Sequence, residues 1–470
     1  MAKDATKDLT RGDPTRLILT LAISMLVSSL MSFVYNTTDG LMVSRFVSAD
    51  ALGSISAASP IYSLIETLAG AVISSFSIYA GQVFGSGDMK RLKKMMANAV
   101  YLTAIFALAV TLIGVLFCRR LVLVMNTPPG FVDLATTYYF IIALSHPIAS
   151  VTWLCAGMFS ATGDSKTPLL ISLISGGSNV VFNFLFMGVF DMGIAGAALG
   201  TLCAITIGSG LYLLFLFTRV RVLLFGKEDA APSRDIIKTL LVKGVPLGMV
   251  SSVITAGAMI LQIAINGHGE DVVTGIATAN RVVYFIWMIF QSFESALLYF
   301  CAQNLGAGHI DRVRQGVRRT MMMNMGFGAV CAVLSILFGK FIYILFVGNN
   351  QAIINVAHEY LIRQVIFFPI MVTLCVWRGT LKGLGSTVPA VICSMIELIT
   401  RAVLCAFFAD NLQVLYFAGP IAWGCTSAFL AVLYPIICKR EEKRIAAEAF
   451  AKAEAEQADK RETSTELQTT

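Results

Sequence analysis

Apolar runs of roughly twenty residues, separated by short polar loops, recur along almost the whole chain. Each is long enough to cross a hydrocarbon core about 30 Å thick. They give twelve predicted spans: 15–43, 51–83, 92–117, 133–159, 168–190, 194–217, 236–265, 272–300, 313–338, 353–374, 389–408 and 414–437. One amphipathic core cannot absorb so many, so the pattern predicts an all-α polytopic membrane protein with every backbone group satisfied inside a helix. The spans divide evenly into an N-lobe over 15–218 and a C-lobe over 236–438, each with six transmembrane helices. Between them, the segment 219–235 carries Arg219, Arg221, Lys227, Glu228, Asp229, Pro232 and Arg234, the composition of a solvated linker. A short segment, 1–14, precedes the first span. The tail 439–470 turns Ala/Glu/Lys-rich and then Thr-rich, which predicts a frayed helix with disorder near Thr470.

The two halves also repeat each other. Gln82, Gly85, Gly87 and Arg91, where the second span gives way to a basic loop, recur in register as Gln303, Gly306, Gly308 and Arg312 after the eighth. His146-Pro147 pairs with Phe368-Pro369, and Gly163 followed by Pro168 pairs with Gly385 followed by Pro389. A long-period duplication in an apolar chain marks a transporter of two homologous halves. The first six and last six spans are therefore expected to mirror each other.

Charge adds orientation. The chain is 57% hydrophobic and 13% charged, against about 25% charged in soluble domains. Lys90, Arg91, Lys93 and Lys94 lie on one side with Arg312, Arg314, Arg318, Arg319, the linker, Lys439, Arg440, Lys443 and Arg444. The opposite loops hold Asp50, Asp191, Glu270, Asp271 and Asp410, with Arg119 and Arg120 as exceptions. The positive-inside rule then places both termini in the cytoplasm. The net charge of +7 is topogenic, and nucleic acid is not an expected partner. The first residues mix Lys3, Asp4, Lys7 and Asp8 without a signal-peptide core, so the first span is expected to double as the targeting signal. The ten cysteines are scattered, mostly within spans, without a C-x-x-C pair, and read as small packing residues; neither metal nor cofactor is expected.

Ionisable groups inside spans are costly and each is a functional hypothesis. Those in mid-span are Asp39, Glu66, Glu294, Glu397, Arg378 and Arg401, beside the polar Asn36, Asn179, Asn183, Thr201, Gln262 and Gln291. Asp39 has no basic residue one turn away, the setting of a proton or Na⁺ carrier. Asn179 and Asn183 share a face of one helix, and Thr201 follows a row of small residues that lets backbones approach. Together they offer one carboxylate and several neutral oxygens to a small monovalent ion; helix–helix hydrogen bonding is the plainer alternative. Glu294 and Glu66 are candidates to draw a cationic substrate into a cleft, with Tyr35, Gln262 and Gln291 nearby, or else are buried polar contacts. Glu397 and Arg401, spaced i, i+4, are expected to pair with a structural or gating role. Enzyme motifs are absent: Gly163 to Thr167 lacks the glycine and strand of a phosphate loop, and neither H-E-x-x-H nor G-x-S-x-G occurs.

In this order and spacing the pattern resembles the MATE (multidrug and toxic compound extrusion) transporters, particularly the bacterial ones, over roughly 15–438. The carriers are the run from Tyr35 to Asp39, the run from Ser44 to Leu52, the paired Gln/Gly/Gly/Arg loops, the run from Ala161 to Pro168, and that from Arg378 to Gly385. The resemblance implies two pseudo-symmetric six-helix bundles around a central cleft, with export of organic cations in exchange for H⁺ or Na⁺. The reading that follows is an antiporter of the bacterial inner membrane, expected to be a monomer among lipids. Asp39 matches the family's acidic residue of the first helix, and Asn179, Asn183 and Thr201 fall on positions of its N-lobe ion site. Two departures stand out. Many relatives have Asp where this chain has Asn183, leaving one carboxylate where a close pair would split its pKa values. Ser24 stands where relatives often carry Pro; it aligns with Pro246 of the second half, as Asp39 aligns with Leu261. The competing expectations are a flippase or exporter of a lipid-linked or anionic metabolite, with a more basic cavity, and a non-transporting receptor or scaffold.

Overall fold

The computed structural model describes residues 6–468; the disorder expected near Thr470 lies outside them. In chain order the helices are α1 (Pro14–Phe46), α2 (Ala49–Gly85), α3 (Met89–Leu116), α4 (Cys118–Val124), α5 (Val132–Ala161), α6 (Lys166–Asn183), α7 (Gly193–Thr218) and α8 (Arg234–Thr239). The second half continues with α9 (Val245–Asn266), α10 (Glu270–Gly306), α11 (Ile310–Val347), α12 (Gln351–Val365), α13 (Phe368–Gly383), α14 (Thr387–Phe408), α15 (Leu412–Tyr416) and α16 (Ala418–Gln468). Eleven helices among the described residues are long and apolar enough to cross a membrane, or twelve when α12 and α13 form one bent span. Some of their starts are set by side-chain caps. Asp13 caps α1 by accepting from the Arg16 amide at 2.9 Å with Pro14 at the first position, and Ser48 caps α2 by accepting from the Ala51 amide at 3.0 Å.

Two departures from the sequence pattern have local causes. The tenth span is not straight: α12 and α13 meet at 54°, where Pro369 at the start of α13 cannot continue the preceding helix. Its counterpart Pro147 lies inside an unbroken α5. Arg119 and Arg120 sit on the short α4, and Arg119 pairs with exposed Asp133 at 2.5 Å, which offsets one of the two positive charges.

The face carrying both chain ends and most Lys and Arg, here the basic face, is where the lobes join. Interdigitation uses the duplicated loops. Gln82 Nε2 donates to Gly383 O at 2.9 Å, and Gln303 Nε2 donates to Ala161 O at 2.7 Å, each glutamine reaching the helix-ending turn of the other lobe. Gly85 and Gly306 make that approach possible: a Cβ on the first would overlap Gln303 O, and one on the second would overlap Gln82 O. Ser75 Oγ donates to Gly244 O at 2.8 Å, and Ser77 and Tyr299 share a 3.2 Å hydroxyl contact. Val72, Ile73, Phe76 and Tyr79 of α2 pack in one buried cluster with Leu247 and Val250 of α9. Toward the opposite, acidic face, the cluster of Val43, Ala51, Ala58, Tyr62 and Tyr139 contains only N-lobe residues.

Residues before α1 form a strap across this junction. The Lys7 amide donates to Thr162 O at 2.9 Å and the Leu9 amide to Gln303 Oε1 at 2.9 Å. Asn304 Nδ2 donates to Leu9 O at 3.2 Å, and Arg312 donates to Gly12 O at 2.9 Å. Leu9 is fully buried. The repeated glutamine and arginine of the second half therefore also hold the chain's beginning.

Gly85→Ala and Gly306→Ala each force the lobes apart at the basic face, whereas Gly210→Ala meets open space. Spin labels on the basic ends of α2 and α10 should report a longer separation in the first two variants and an unchanged one in the third. An equal separation in all three would contradict the interdigitated junction.

Candidate ion and substrate site in the N-lobe

A cavity of about 470 Å³ lies among α1, α2, α5, α6 and α7. Its α1 wall comes from Ser32, Tyr35, Asn36 and Asp39, spaced to share one face of the helix. A polar stripe continues that face toward the basic end. Thr20, Ser24, Ser28, Ser32 and Asn36 each donate to the carbonyl four residues earlier, at 2.7 to 3.1 Å. The α1 helix is unbroken at Ser24.

Behind the cavity the predicted ion-site residues converge. Asn183 Nδ2 donates to Asp39 Oδ1 at 2.5 Å and to Asn179 Oδ1 at 3.1 Å, and Asn179 Nδ2 donates to Thr201 Oγ1 at 3.3 Å. Asn179 and Asn183 are buried, and Asn183 Oδ1 has no partner among the described residues. This amide packs against Gly200, where a Cβ would overlap it, so the small-residue row on α7 admits the hydrogen-bond chain. One carboxylate, two amide oxygens and a hydroxyl form a hard, oxygen-rich donor set that fits a proton or a monovalent cation such as Na⁺. No group of three or more His, Cys, Asp or Glu suited to a metal occurs among the described residues.

Of the substrate-cleft candidates, Tyr35 and Glu66 line this cavity; Gln262, Gln291 and Glu294 do not. Gln262 Nε2 donates to Asn266 Oδ1 at 2.8 Å on its own helix, and Gln291 is half-buried on α10. The expectation of Glu294 as an available acid is corrected. It accepts from Arg378 Nε and Nη2 at 3.0 and 2.7 Å and from Lys382 Nζ at 3.0 Å, with a side chain 5% exposed. Such a bidentate pair satisfies the carboxylate. Glu397 and Arg401 pair at 2.7 Å as their spacing predicts, and Arg378 lies 3.7 Å from Glu397, joining both acids into one buried C-lobe network.

Apart from Tyr35, sequence reasoning did not single out the residues of the cavity's aromatic lining. Tyr139, His146 and Trp153 follow one another at seven-residue intervals on α5, and Tyr62, Tyr138 and Tyr212 join them. Tyr62 stacks on Tyr139 with centroids 3.7 Å apart, and His146 Nδ1 lies 2.9 Å from Ile142 O. The heptad spacing was the available signal, but in an apolar helix such residues do not contrast with their neighbours.

Two helical bundles joined at one face, with a polar cavity inside one of them, are the architecture of a polytopic membrane transporter. The chain belongs to the MatE family, the MATE transporters: the family model matches residues 24–185 and 246–407, one match in each half. These matches begin at Ser24 and Pro246, the alignment the internal repeat gives. The chain is 23% identical over 433 residues to the probable multidrug resistance protein YoeA of Bacillus subtilis (strain 168), covering 89% of this chain and 93% of that protein. It is 18% identical over 336 residues to the multidrug export protein MepA of Staphylococcus aureus (strain N315), covering 72% and 74%. Among solved structures, a MATE in the bent conformation superposes with a TM-score of 0.86 at 19% identity, covering 93% of this chain and 98% of that one. An outward-facing multidrug resistance MATE transporter of the MOP superfamily gives 0.83 at 19% identity, covering 94% and 98%.

The buried C-lobe network predicts a stability contrast. Glu294→Ala strands Arg378 and Lys382 in a dry interior and should cost about 3–5 kcal/mol. Thermal unfolding in detergent checks this, with Gln262→Ala on the wetter α9 surface expected to shift the midpoint far less. A midpoint for Glu294→Ala equal to wild type would show that the network carries no stability.

Proposed function

We propose that this protein is a secondary antiporter of the bacterial plasma (inner) membrane that exports organic cations, drugs or toxic metabolites among them, in exchange for H⁺ or Na⁺. The observation that carries this reading is the N-lobe cavity: Asp39 and Glu66 line it, and no Lys or Arg among the described residues does. Low dielectric around such acids favours positively charged ligands. The same polarity argues against export of an anionic or lipid-linked metabolite, which calls for a basic cavity. YoeA and MepA carry multidrug resistance and export in their names, which agrees with an efflux role.

In this reading the basic face is cytoplasmic, with both termini inside, following the charge asymmetry of the loops. The lobes closed at that face then correspond to an outward-facing state. A proton or Na⁺ arriving from outside binds Asp39, with Asn179, Asn183 and Thr201 completing the site and Asn36 at its edge on α1. The ion weakens the hold on the exported cation, which leaves outward. The lobes then rock, the glutamine interlock opens, and the cavity meets the cytoplasm. Coupling requires that ion and substrate differ in their preference for the two states or compete for one site. Energy comes from the ion gradient, and the protein is not an enzyme.

Purified protein in liposomes, with a fluorescent organic cation inside and an imposed proton or Na⁺ gradient, tests this directly. Wild type should move the cation only when one gradient is present, and Asp39→Asn should reduce that movement to the protein-free rate. Gradient-driven movement untouched by Asp39→Asn would remove the ion site from Asp39. Movement of anions in place of cations would overturn the reading.

A further inference from the structure

We propose that Glu66 takes the positive charge of the exported molecule, so that substrate and coupling ion use different carboxylates of one cavity. The inference rests on the cation-export reading and assigns a specificity-determining residue within it.

The two acids have opposite surroundings. Asp39 accepts a hydrogen bond from Asn183, whose amide chain runs on to Asn179 and Thr201. That is a small, oxygen-rich enclosure, suited to an ion the size of a proton or a bare monovalent metal. Glu66 has no hydrogen-bond or ion-pair partner among the described residues, and its side chain is exposed to the cavity. A carboxylate left unpaired at mid-helix in a membrane protein is costly unless water or a ligand meets it.

Its neighbourhood is aromatic. Tyr62, Glu66 and Gly70 stand at successive turns on one face of α2. One turn toward the acidic face, Tyr62 stacks on Tyr139 at 3.7 Å with an interplanar angle of 8°. One turn the other way, Gly70 lies against the Trp153 indole, 3.2 Å from where its Cβ would be. Tyr35 and Tyr138 complete the lining near both acids. Aromatic faces around a lone carboxylate recognise an organic cation, whose charge is spread over apolar surface, through cation–π and ionic attraction together. A small hydrated ion gains little from them. The volume of about 470 Å³ lies within the range of pockets for drug-sized ligands.

The one other carboxylate that lines the cavity among the described residues, Asp39, is engaged by Asn183. The remaining nitrogen base lining it is His146, buried and with Nδ1 hydrogen-bonded within α5. The mid-helix acid of α10, Glu294, is consumed by Arg378 and Lys382. The ligand class that follows is a flat or amphiphilic aromatic cation with one exposed positive centre.

The experiment uses the purified full-length protein and ethidium, a permanently charged aromatic cation, with affinity read by fluorescence in the absence of a gradient. Glu66→Gln should weaken ethidium at least roughly tenfold, the expected loss of one partner of a desolvated charge pair. Glu66→Asp, keeping the charge, should recover most of that loss, which separates a charge effect from misfolding. In the same preparations, displacement of ethidium by Na⁺ or H⁺ should disappear in Asp39→Asn. Wild-type affinity in Glu66→Gln would overturn the assignment. So would a tenfold loss confined to Asp39→Asn, which places the substrate's charge on the ion site. Failure of wild type to bind ethidium or any other organic cation would sink the export reading itself, and the assignment with it.

Discussion

A charge inside a membrane must be paired or wet, and this constraint divides the two lobes. In the C-lobe, Glu294 and Glu397 are bonded to Arg378, Lys382 and Arg401 in a network with almost no exposure. Removing one member would strand the others, so the arrangement resists change and holds α10, α13 and α14 together. In the N-lobe, Asp39 and Glu66 share a cavity that no cationic side chain lines among the described residues. The acids of one lobe are thus spent on structure, and those of the other remain available to ligands. Duplication supplied two equal bundles, and the placement of a few basic residues made them unequal.

Where the halves still agree, they agree about contact. Gln82 and Gln303 make reciprocal hydrogen bonds, and Gly85 and Gly306 admit reciprocal backbone approaches. Each such bond is worth about 1 kcal/mol net. A junction of several can therefore be strong enough to define one state and weak enough to be opened by differential ligand binding. The strap from Lys7 to Gly12 breaks the symmetry, because it bonds Gln303 and Arg312 but neither of their counterparts Gln82 and Arg91 among the described residues.

The helices and their division into halves were legible because a run of apolar residues long enough to span a bilayer has few other uses. The hydrogen-bond chain from Asp39 through Asn183 and Asn179 to Thr201 was also within reach, since helical spacing and small residues on α7 point to one face each. The partner of Glu294 was not. Arg378 lies on a helix distant in sequence, and an acid alone does not reveal whether a cation will fold against it. The bend between α12 and α13 was hidden for a related reason: Pro147 and Pro369 look equivalent, yet one sits within a helix and the other at a helix start. The aromatic wall of α5 was invisible because packing and recognition use the same residues.

The remaining step concerns how an event at Asp39 reaches the junction. Helix α1 is the element common to both: Asp39 near its acidic end bonds α6 through Asn183, while Leu17, Ile18, Leu21 and Ala22 near its basic end are buried with Phe293, Leu297 and Phe300 of α10. Along the face between runs the series of Thr, Ser and Asn side chains bonded to their own backbone. Such back-bonding satisfies hydroxyls without outside partners and loosens the helix, making bends less costly. A helix with a proline at Ser24 would localise bending there; a polar stripe distributes it over several turns. In the proposed antiport, an ion that tightened or released the Asp39–Asn183 contact would change how firmly α1 is held to α6, and so the balance between that lobe and the α10 surface on which the other end rests. Such a coupling would need no dedicated relay, only one deformable helix that packs on different lobes at its two ends.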